Sequence, residues 1–276
     1  MHSSMSHVIK SPLRYPGGKS KALRQIQQYM PSGFEEFREP FVGGGSLFIY
    51  VRQRFPAVRV WINDLNYELY SFWLCARDQL NELVTEVLRI KKTESDGRRL
   101  FEELTTVDVN KLTQLERAVR FFVLNRITFS GTVEAGGYSE KAFHARYTYS
   151  SIERLASLKD LMKGVHITHA DYRQVIHMCG EEVFVFLDPP YFSASESRLY
   201  GRNGVLHTAF NHQEFADEMC RCPHRWLITY DDCETIRSNF RFAHQYSWTL
   251  QYGMNNYKQL SAAKGNELFI SNYPVG

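Results

Sequence analysis

Asp188-Pro189-Pro190-Tyr191 puts a carboxylate, two rigid residues and an aromatic ring in four consecutive positions, directly after the apolar run Val183-Phe184-Val185-Phe186-Leu187. That run has the β-branched and aromatic content of a fully buried strand, so the carboxylate falls at a strand's C-terminal end, where open α/β sheets bind ligands. The prolines fix φ and offer no N–H, so the segment leaves the sheet as a stiff spur that carries the ring. By themselves these four residues are equally compatible with an ordinary Pro-Pro loop. The chemistry they could do is specific, however. A planar group could stack on Tyr191 while its exocyclic amine donates to Asp188 and to the Pro189 carbonyl, which would aim the amine nitrogen at an electrophile without a covalent intermediate or a metal.

Three other stretches could hold a cofactor beside that spur. Phe41-Val42-Gly43-Gly44-Gly45-Ser46 follows a strand pattern and precedes the helical spacing of Leu47, Phe48 and Val51. Its glycines let a ligand lie against backbone at a helix N-terminus, but the pyrophosphate fingerprint wants glycine where Phe48 stands, which disfavours a dinucleotide. Asn63-Asp64-Leu65-Asn66 ends a second strand, and an acid there, roughly 20 residues after a glycine loop, suits ribose hydroxyls; a helix N-cap is its competing role. Asp171-Tyr172 ends a third. Near the N-terminus, Tyr15-Pro16-Gly17-Gly18-Lys19 is a tight turn within a cationic stretch of Lys10, Arg14, Lys19, Lys21 and Arg24. A phosphate-binding P-loop would need glycine where Leu13 stands, so a nucleotide triphosphatase is excluded.

The elements that must position these groups read as alternating strands and helices. Strands are expected at 36–41, 58–62, 165–169, 183–187, 226–230, 242–250 and 267–273, and helices at 19–30, 211–221 and 233–239. Between the second and third strands, residues 66–129 read as helices at 66–93, 97–105 and 113–129, bearing Lys91, Lys92, Arg98, Arg99, Arg117, Arg120 and Arg126. A polar, Gly-rich stretch from Ser130 to Ser150 follows, read as a flexible loop in which Tyr138, Lys141, His144, Arg146, Tyr147 and Tyr149 interleave cations with aromatics, a pattern suited to phosphates and bases. A loop at 192–207 is long enough to act as a lid, and 251–266 joins the last two strands.

With 276 residues, 43% of them hydrophobic, the chain can bury the core of one large α/β unit with an insertion. A net charge of +3 is too weak to imply a polyanionic partner, so any such partner must be argued from where the cations cluster. Five cysteines without framework spacing suggest reduced thiols and an intracellular, cytoplasmic setting. Cys220, Cys222 and His224 lack a usual zinc spacing, and no metal is expected. No stretch has the length or apolarity of a signal peptide or a bilayer span.

Taken in order, Tyr15–Lys19, Phe41–Gly45, Asn63–Asn66, Asp188–Tyr191 and the terminal Glu267-Leu268-Phe269-Ile270-Ser271-Asn272-Tyr273 resemble the Dam-type, alpha-class (D12) DNA adenine N6-methyltransferases over nearly the whole chain. The resemblance implies a Rossmann-like seven-stranded methyltransferase sheet formed by residues 1–65 and 164–276, and an inserted helical target-recognition domain at 66–163. It implies S-adenosylmethionine as cofactor, held by Tyr15, Lys19, Phe41, Gly43, Gly44, Gly45, Asp64, Asp171, Tyr172 and Asp188. Asp188, Pro189, Pro190 and Tyr191 would receive a flipped adenine from double-stranded DNA. Arg14, Arg126, Ser130, Glu134, Tyr138, Lys141 and Arg146 are the expected DNA contacts. A second copy of the chain and a cognate restriction endonuclease are further candidate partners, the nuclease not being required for activity.

One departure bears on specificity. Family members that read GATC resemble Asn-Arg-x-x-Phe-Asn-Gly-x-x-Arg-x-Asn, whereas this chain carries Asn125-Arg126-Ile127-Thr128-Phe129-Ser130-Gly131-Thr132-Val133-Glu134. A carboxylate at the arginine's place cannot donate to guanine, so a site other than GATC is expected. The rival readings are a methyltransferase acting on cytosine N4 or on protein glutamine, and a DNA-binding module without catalysis. Glutamine-modifying enzymes carry Asn-Pro-Pro-Tyr and lack the N-terminal turn, and every catalytic position is filled here.

Overall fold

In the computed structural model, residues 8–15, 17–133, 136–194, 210–251 and 264–275 are described. Strands β1 (Glu36–Glu39), β2 (Arg59–Asn63), β3 (His166–Thr168), β4 (Val183–Leu187), β5 (Arg225–Asp231), β6 (His244–Gln251) and β7 (Lys264–Ser271) form one sheet in the order β3-β2-β1-β4-β5-β7-β6. Only β7 runs antiparallel to its neighbours. The order reverses between β1 and β4, which creates the crevice at which such sheets take ligands.

Strand β4 shows why its sequence reads as an unbroken apolar run. Phe184 and Phe186 enter one hydrophobic cluster, and Val183, Val185 and Leu187 enter the other, so both faces are buried. On the first face lie α1 (Leu23–Tyr29) and α2 (Ser46–Arg54). On the second lie the helices Tyr172–His177, His212–Arg221 and Glu234–Asn239.

Between β2 and β3 the chain forms α3 (Tyr67–Asp78), α4 (Leu80–Thr93), α5 (Gly97–Thr106), α6 (Gln114–Ile127), α7 (Glu140–Arg146) and α8 (Tyr149–Ala156). The single helix expected at 66–93 is broken at Gln79, which leaves helical geometry at φ −137°. The flexible loop expected from Ser130 to Ser150 is corrected more strongly, because it contains α7 and the start of α8. Ser139 caps α7, and Thr148 forms a capping box with Ser151. These helices are short, and their caps were a stronger signal than their sparse apolar spacing. Tyr147 is not a loop aromatic: it is fully buried, and its hydroxyl donates to the Val87 carbonyl at 2.7 Å.

Phe72, Trp73, Phe121 and Phe122 share a hydrophobic cluster with Phe37 and Ile62, so the helical segment is packed continuously onto the sheet. Glu68 on α3 accepts from Arg117 and lies 3.5 Å from Arg120, which ties α3 to α6. A second buried arginine, Arg38, donates to the carbonyls of Val175 (2.8 Å), Met178 (2.6 Å) and Cys179 (2.9 Å). It anchors the far end of helix Tyr172–His177, so that the other end presents Asp171 and Tyr172 at the sheet's ligand-binding edge. Cys222 and His224 lie nearby, in contact with the carbonyls of Ile176 and Met178. Among the described residues no helix is long and apolar enough to cross a membrane.

Candidate active site

The loop after β1 is shaped by what its glycines permit. Gly43 and Gly45 have positive φ, and a Cβ on Gly44 would stand 2.8 Å from Tyr15 Cβ, so the N-terminal turn can close onto this backbone only if side chains are absent. Ser11 Oγ donates to the Gly44 carbonyl, and Trp73 Nε1 donates to that of Gly43 at 3.1 Å. Asp64 is tied to the loop rather than capping the next helix. Its Oδ2 accepts from Gly43 N at 3.1 Å and its Oδ1 from Asn66 N at 2.9 Å, while Asn66 is the N-cap of α3. Burial pushes the Asp64 carboxyl up to about 6, against the backbone donors that favour its charge.

Asn63 stitches the strand tips together. Its Nδ2 donates to the carbonyls of Pro40 and Ala170, both at 3.0 Å, and its Oδ1 accepts from Ala170 N and Thr168 Oγ1. All four amide valences are thereby used, which holds the ends of β1, β2 and β3 in one arrangement.

These elements wall a cavity of about 590 Å3, a size suited to a nucleoside-bearing ligand. Tyr15, Lys19, Phe41, Gly43, Gly44, Gly45, Asp64, Asp171, Tyr172 and Asp188 all line it, as do Pro189, Pro190 and Tyr191. Phe41, Tyr172 and Phe210 form an aromatic slot, with ring centroids 5.5 Å (Phe41–Tyr172), 5.9 Å (Phe41–Phe210) and 6.0 Å (Tyr172–Phe210) apart. Asp171 turns its carboxylate to Arg173, which holds it below the usual range and leaves it the N-cap of the following helix.

At the other end, Lys19 Nζ lies 2.7 Å from Asp188 Oδ1 and 5.0 Å from the centre of the Tyr191 ring. Thr229 Oγ1 also donates to Asp188 Oδ1, at 2.8 Å. Both contacts fall on one oxygen, so among the described residues Oδ2 is the atom left to accept from a ligand. The lysine that resembles a phosphate-binding residue in sequence thus has a carboxylate as its partner. Burial, then Asp188 and Glu267, push the Tyr191 phenol well above its ordinary value, which keeps its proton available for donation.

Sequence reasoning missed three acids here. Glu39 is buried and accepts from Phe48 N at 3.0 Å; burial and the nearby Asp188 and Asp64 push it well up. Asp231 accepts from the amides of Phe192 (2.9 Å) and Ser193 (2.8 Å) and so fixes the chain after the spur. Glu267 accepts the Tyr191 hydroxyl. The signals for Glu267 were its place at the head of the terminal motif and a charge directly before the apolar run Leu268–Ile270.

The expected DNA contacts divide into two groups. Asn125 accepts from Arg14 N at 2.9 Å and donates to the carbonyls of Arg14 (2.6 Å) and Gly131 (3.0 Å), joining the N-terminal turn to the end of α6. Arg14, Arg146 and Arg154 bear electrostatically on Arg126, which is only 3% exposed, sits over the Phe122 ring, and has no hydrogen-bond partner among the described residues for Nε or Nη2. Burial, then those three cations, push Arg126 down to about 9. Ser130 is half-buried at φ 54°, beside the exposed Phe129, an aromatic that sequence reasoning did not single out. Tyr138 is occupied elsewhere, giving its hydroxyl to Glu140 at 2.6 Å beneath Arg98. Lys141 and Arg146 are exposed, whereas Glu134 lies outside the described residues, as do 195–209 and 252–263, which hold most of the expected lid and hairpin.

Residues 15–254 match the model of the D12 class N6 adenine-specific DNA methyltransferases. Type II methyltransferase M.MjaIII of Methanocaldococcus jannaschii is 25% identical over 227 residues, 76% of this chain and 76% of its own length. Type II methyltransferase M1.LlaDCHI of Lactococcus lactis is 27% identical over 223 residues, 74% and 71% of the two chains. A DNA adenine methylase of Vibrio cholerae is 22% identical over 198 residues, 70% of each.

Proposed function

The chain belongs to the D12 class of N6 adenine-specific DNA methyltransferases, and from that membership we propose that the cavity binds S-adenosylmethionine at its glycine-loop end and receives a flipped adenine at Asp188 and Tyr191. The residues fit that cofactor. Gly43, Gly44 and Gly45 line the cavity with bare backbone, onto which Tyr15 closes at Gly43 and Gly44, Asp64 offers a carboxylate to ribose hydroxyls, and Phe41, Tyr172 and Phe210 form a slot for a purine. S-adenosylmethionine supplies an electrophilic methyl group on a sulfonium.

What the protein supplies is orientation. The adenine ring lies on Tyr191, and its N6 amine donates to Asp188 Oδ2 and to the Pro189 carbonyl. These bonds favour a nitrogen whose lone pair is free for attack, and they strengthen as positive charge develops there. Lys19 and Thr229 hold the other carboxylate oxygen, so the aspartate cannot rotate away. The observation that carries this reading is that Asp188 closes the wall of a nucleoside-sized cavity while keeping one oxygen uncommitted among the described residues.

The segment 66–163 serves as the target-reading element, with Arg14, Arg126 and Arg146 facing phosphate and Phe129 and Ser130 facing bases. DNA as substrate and the described cysteines as free thiols support a cytoplasmic site of action. Methylation-sensitive long-read sequencing of DNA from cells expressing the protein tests both chemistry and specificity. N6-methyladenine in a fixed context other than GATC is the expected result. Methylation confined to GATC would overturn the specificity reading, and unmodified DNA the catalytic one.

Cofactor binding should also depend on pH through Asp64. Accepting ribose hydroxyl donors favours the ionised carboxylate, so affinity for S-adenosylmethionine is expected to fall as pH drops through about 6. The folded apo protein has the opposite trend. Its carboxyl is raised from 3.8, so folding takes up a proton in that window and apo stability increases as pH falls through it. Isothermal titration between pH 5 and 8 checks this, and Asp64→Asn should flatten the affinity profile; an unchanged profile in the variant would exclude Asp64 as the titrating group.

A further inference from the structure

We infer that Glu267 is a positioning residue for methyl transfer, in that its carboxylate takes the Tyr191 hydroxyl and so fixes the plane of the ring on which the target base stacks. This rests on the reading of Tyr191 as the stacking platform.

The Tyr191 ring is constrained from both ends. Its backbone follows two prolines, and its hydroxyl donates to Glu267 Oε2 at 2.5 Å. With only two side-chain torsions between those points, the ring has little freedom left, which is what a platform for an extruded base requires. Glu267 is nearly inaccessible, at 1% exposure, so this bond is not exchanged for water.

Its placement is costly for the sheet. The β5–β7 register sets Glu267 opposite Asp231, and like charges directly across a ladder destabilise it. Asp188, at the end of β4, adds to the repulsion, and Lys19 and the Tyr191 donor offset it; on the other side β6 contributes the neutral Trp248. Burial accordingly pushes the Glu267 carboxyl up to about 7. An apolar residue would pack at this strand position without that repulsion, so the acid is explained by what it holds. Lys19 also links the two ends of the site, because the ammonium paired with Asp188 lies over the ring that Glu267 anchors.

The test is a double-mutant cycle with Glu267→Ala and Tyr191→Phe, joined by Glu267→Gln and Tyr191→Ala, using single-turnover methyl transfer to duplex DNA and S-adenosylmethionine titration. Glu267→Ala is expected to slow transfer by roughly 10–100-fold while the cofactor Kd moves by less than about threefold. Tyr191→Phe, which deletes the donor, should reproduce that loss, and the double variant should lose no more than either single one. Glu267→Gln retains an acceptor oxygen and should recover most of the rate. Multiplying losses in the double variant, a Gln variant as slow as the Ala one, or an unimpaired Glu267→Ala would each overturn the inference. If Glu267→Ala does not fold, Glu267→Gln and Tyr191→Phe with their double variant give the same cycle. Full activity in Tyr191→Ala would instead sink the platform reading, a failure distinguishable from that of Glu267 alone.

Discussion

Replacing Asp188 with alanine is expected to lower the rate of methyl transfer by about 10²–10³-fold, the usual effect of deleting one preorganised polar group at a reacting atom. The argument rests on what the carboxylate does in two directions. Towards the protein, its Oδ1 satisfies Lys19, a lysine only 7% exposed, and the Thr229 hydroxyl. Towards the substrate, in the proposed arrangement, Oδ2 orients the amine. Alanine removes both, so part of the loss reflects a nearly buried ammonium deprived of its counter-charge and left with the Gly17 carbonyl at 3.0 Å. Asparagine separates the two contributions. It keeps a carbonyl acceptor but carries no charge for Lys19, and its rate is expected to lie between those of the wild type and the alanine variant. Transfer of labelled methyl to duplex DNA under single-turnover conditions checks both variants, and an alanine variant within about twofold of wild type would remove Asp188 from the mechanism.

Replacing Arg126 with alanine is expected to weaken DNA binding by roughly 10–100-fold while leaving the free protein as stable as before or more so. Opposite signs follow from the residue's environment. In the free protein its guanidinium is buried over Phe122 with two nitrogens unpartnered, and the groups that bear on it are Arg154, Arg14 and Arg146. Even pushed down to about 9 it stays charged near neutrality, so the burial is carried as lost stability. In the proposed complex a DNA phosphate is the partner that repays it. Removing the arginine therefore removes a strain from the free state and a contact from the complex. Anisotropy titrations over a range of salt should show a slope in log K against log salt shallower by about 0.9 per lost phosphate contact. Thermal unfolding of the free protein supplies the second readout. A variant that is strongly destabilised with its salt slope intact would mean that Arg126 is a structural residue.

The parts of this site that could be read from sequence are those in which neighbours along the chain also act together. Val183–Tyr191 is a strand followed by its spur, Phe41–Ser46 is a loop followed by its helix, and Asp64 ends a strand, so period and punctuation located them. The parts that escaped depend on register and on distant packing. Glu267 meets Tyr191 across 76 positions, and the pairing exists only because β7 inserts antiparallel between β5 and β6. Asp231 reaches Phe192 and Ser193 for a similar reason. Arg126 read as one more cation along the helices because nothing in its neighbours shows that the whole stretch from Ala118 to Ile127 is buried. Tyr147 read as a loop aromatic because the short helices around it rely on caps and on contacts with α4 rather than on a long apolar stripe.

Asn125 has a wider consequence than joining two segments. Through it, the backbone of Arg14 and that of Gly131 share one side chain, and the next residue, Tyr15, lies against the glycine loop. A displacement at Phe129–Gly131 therefore has a route of three residues to the cofactor cradle. Thermodynamic reciprocity then applies to the two ligands: whatever factor a matching DNA sequence adds to the hold on the methyl donor, the donor must return to the hold on that sequence.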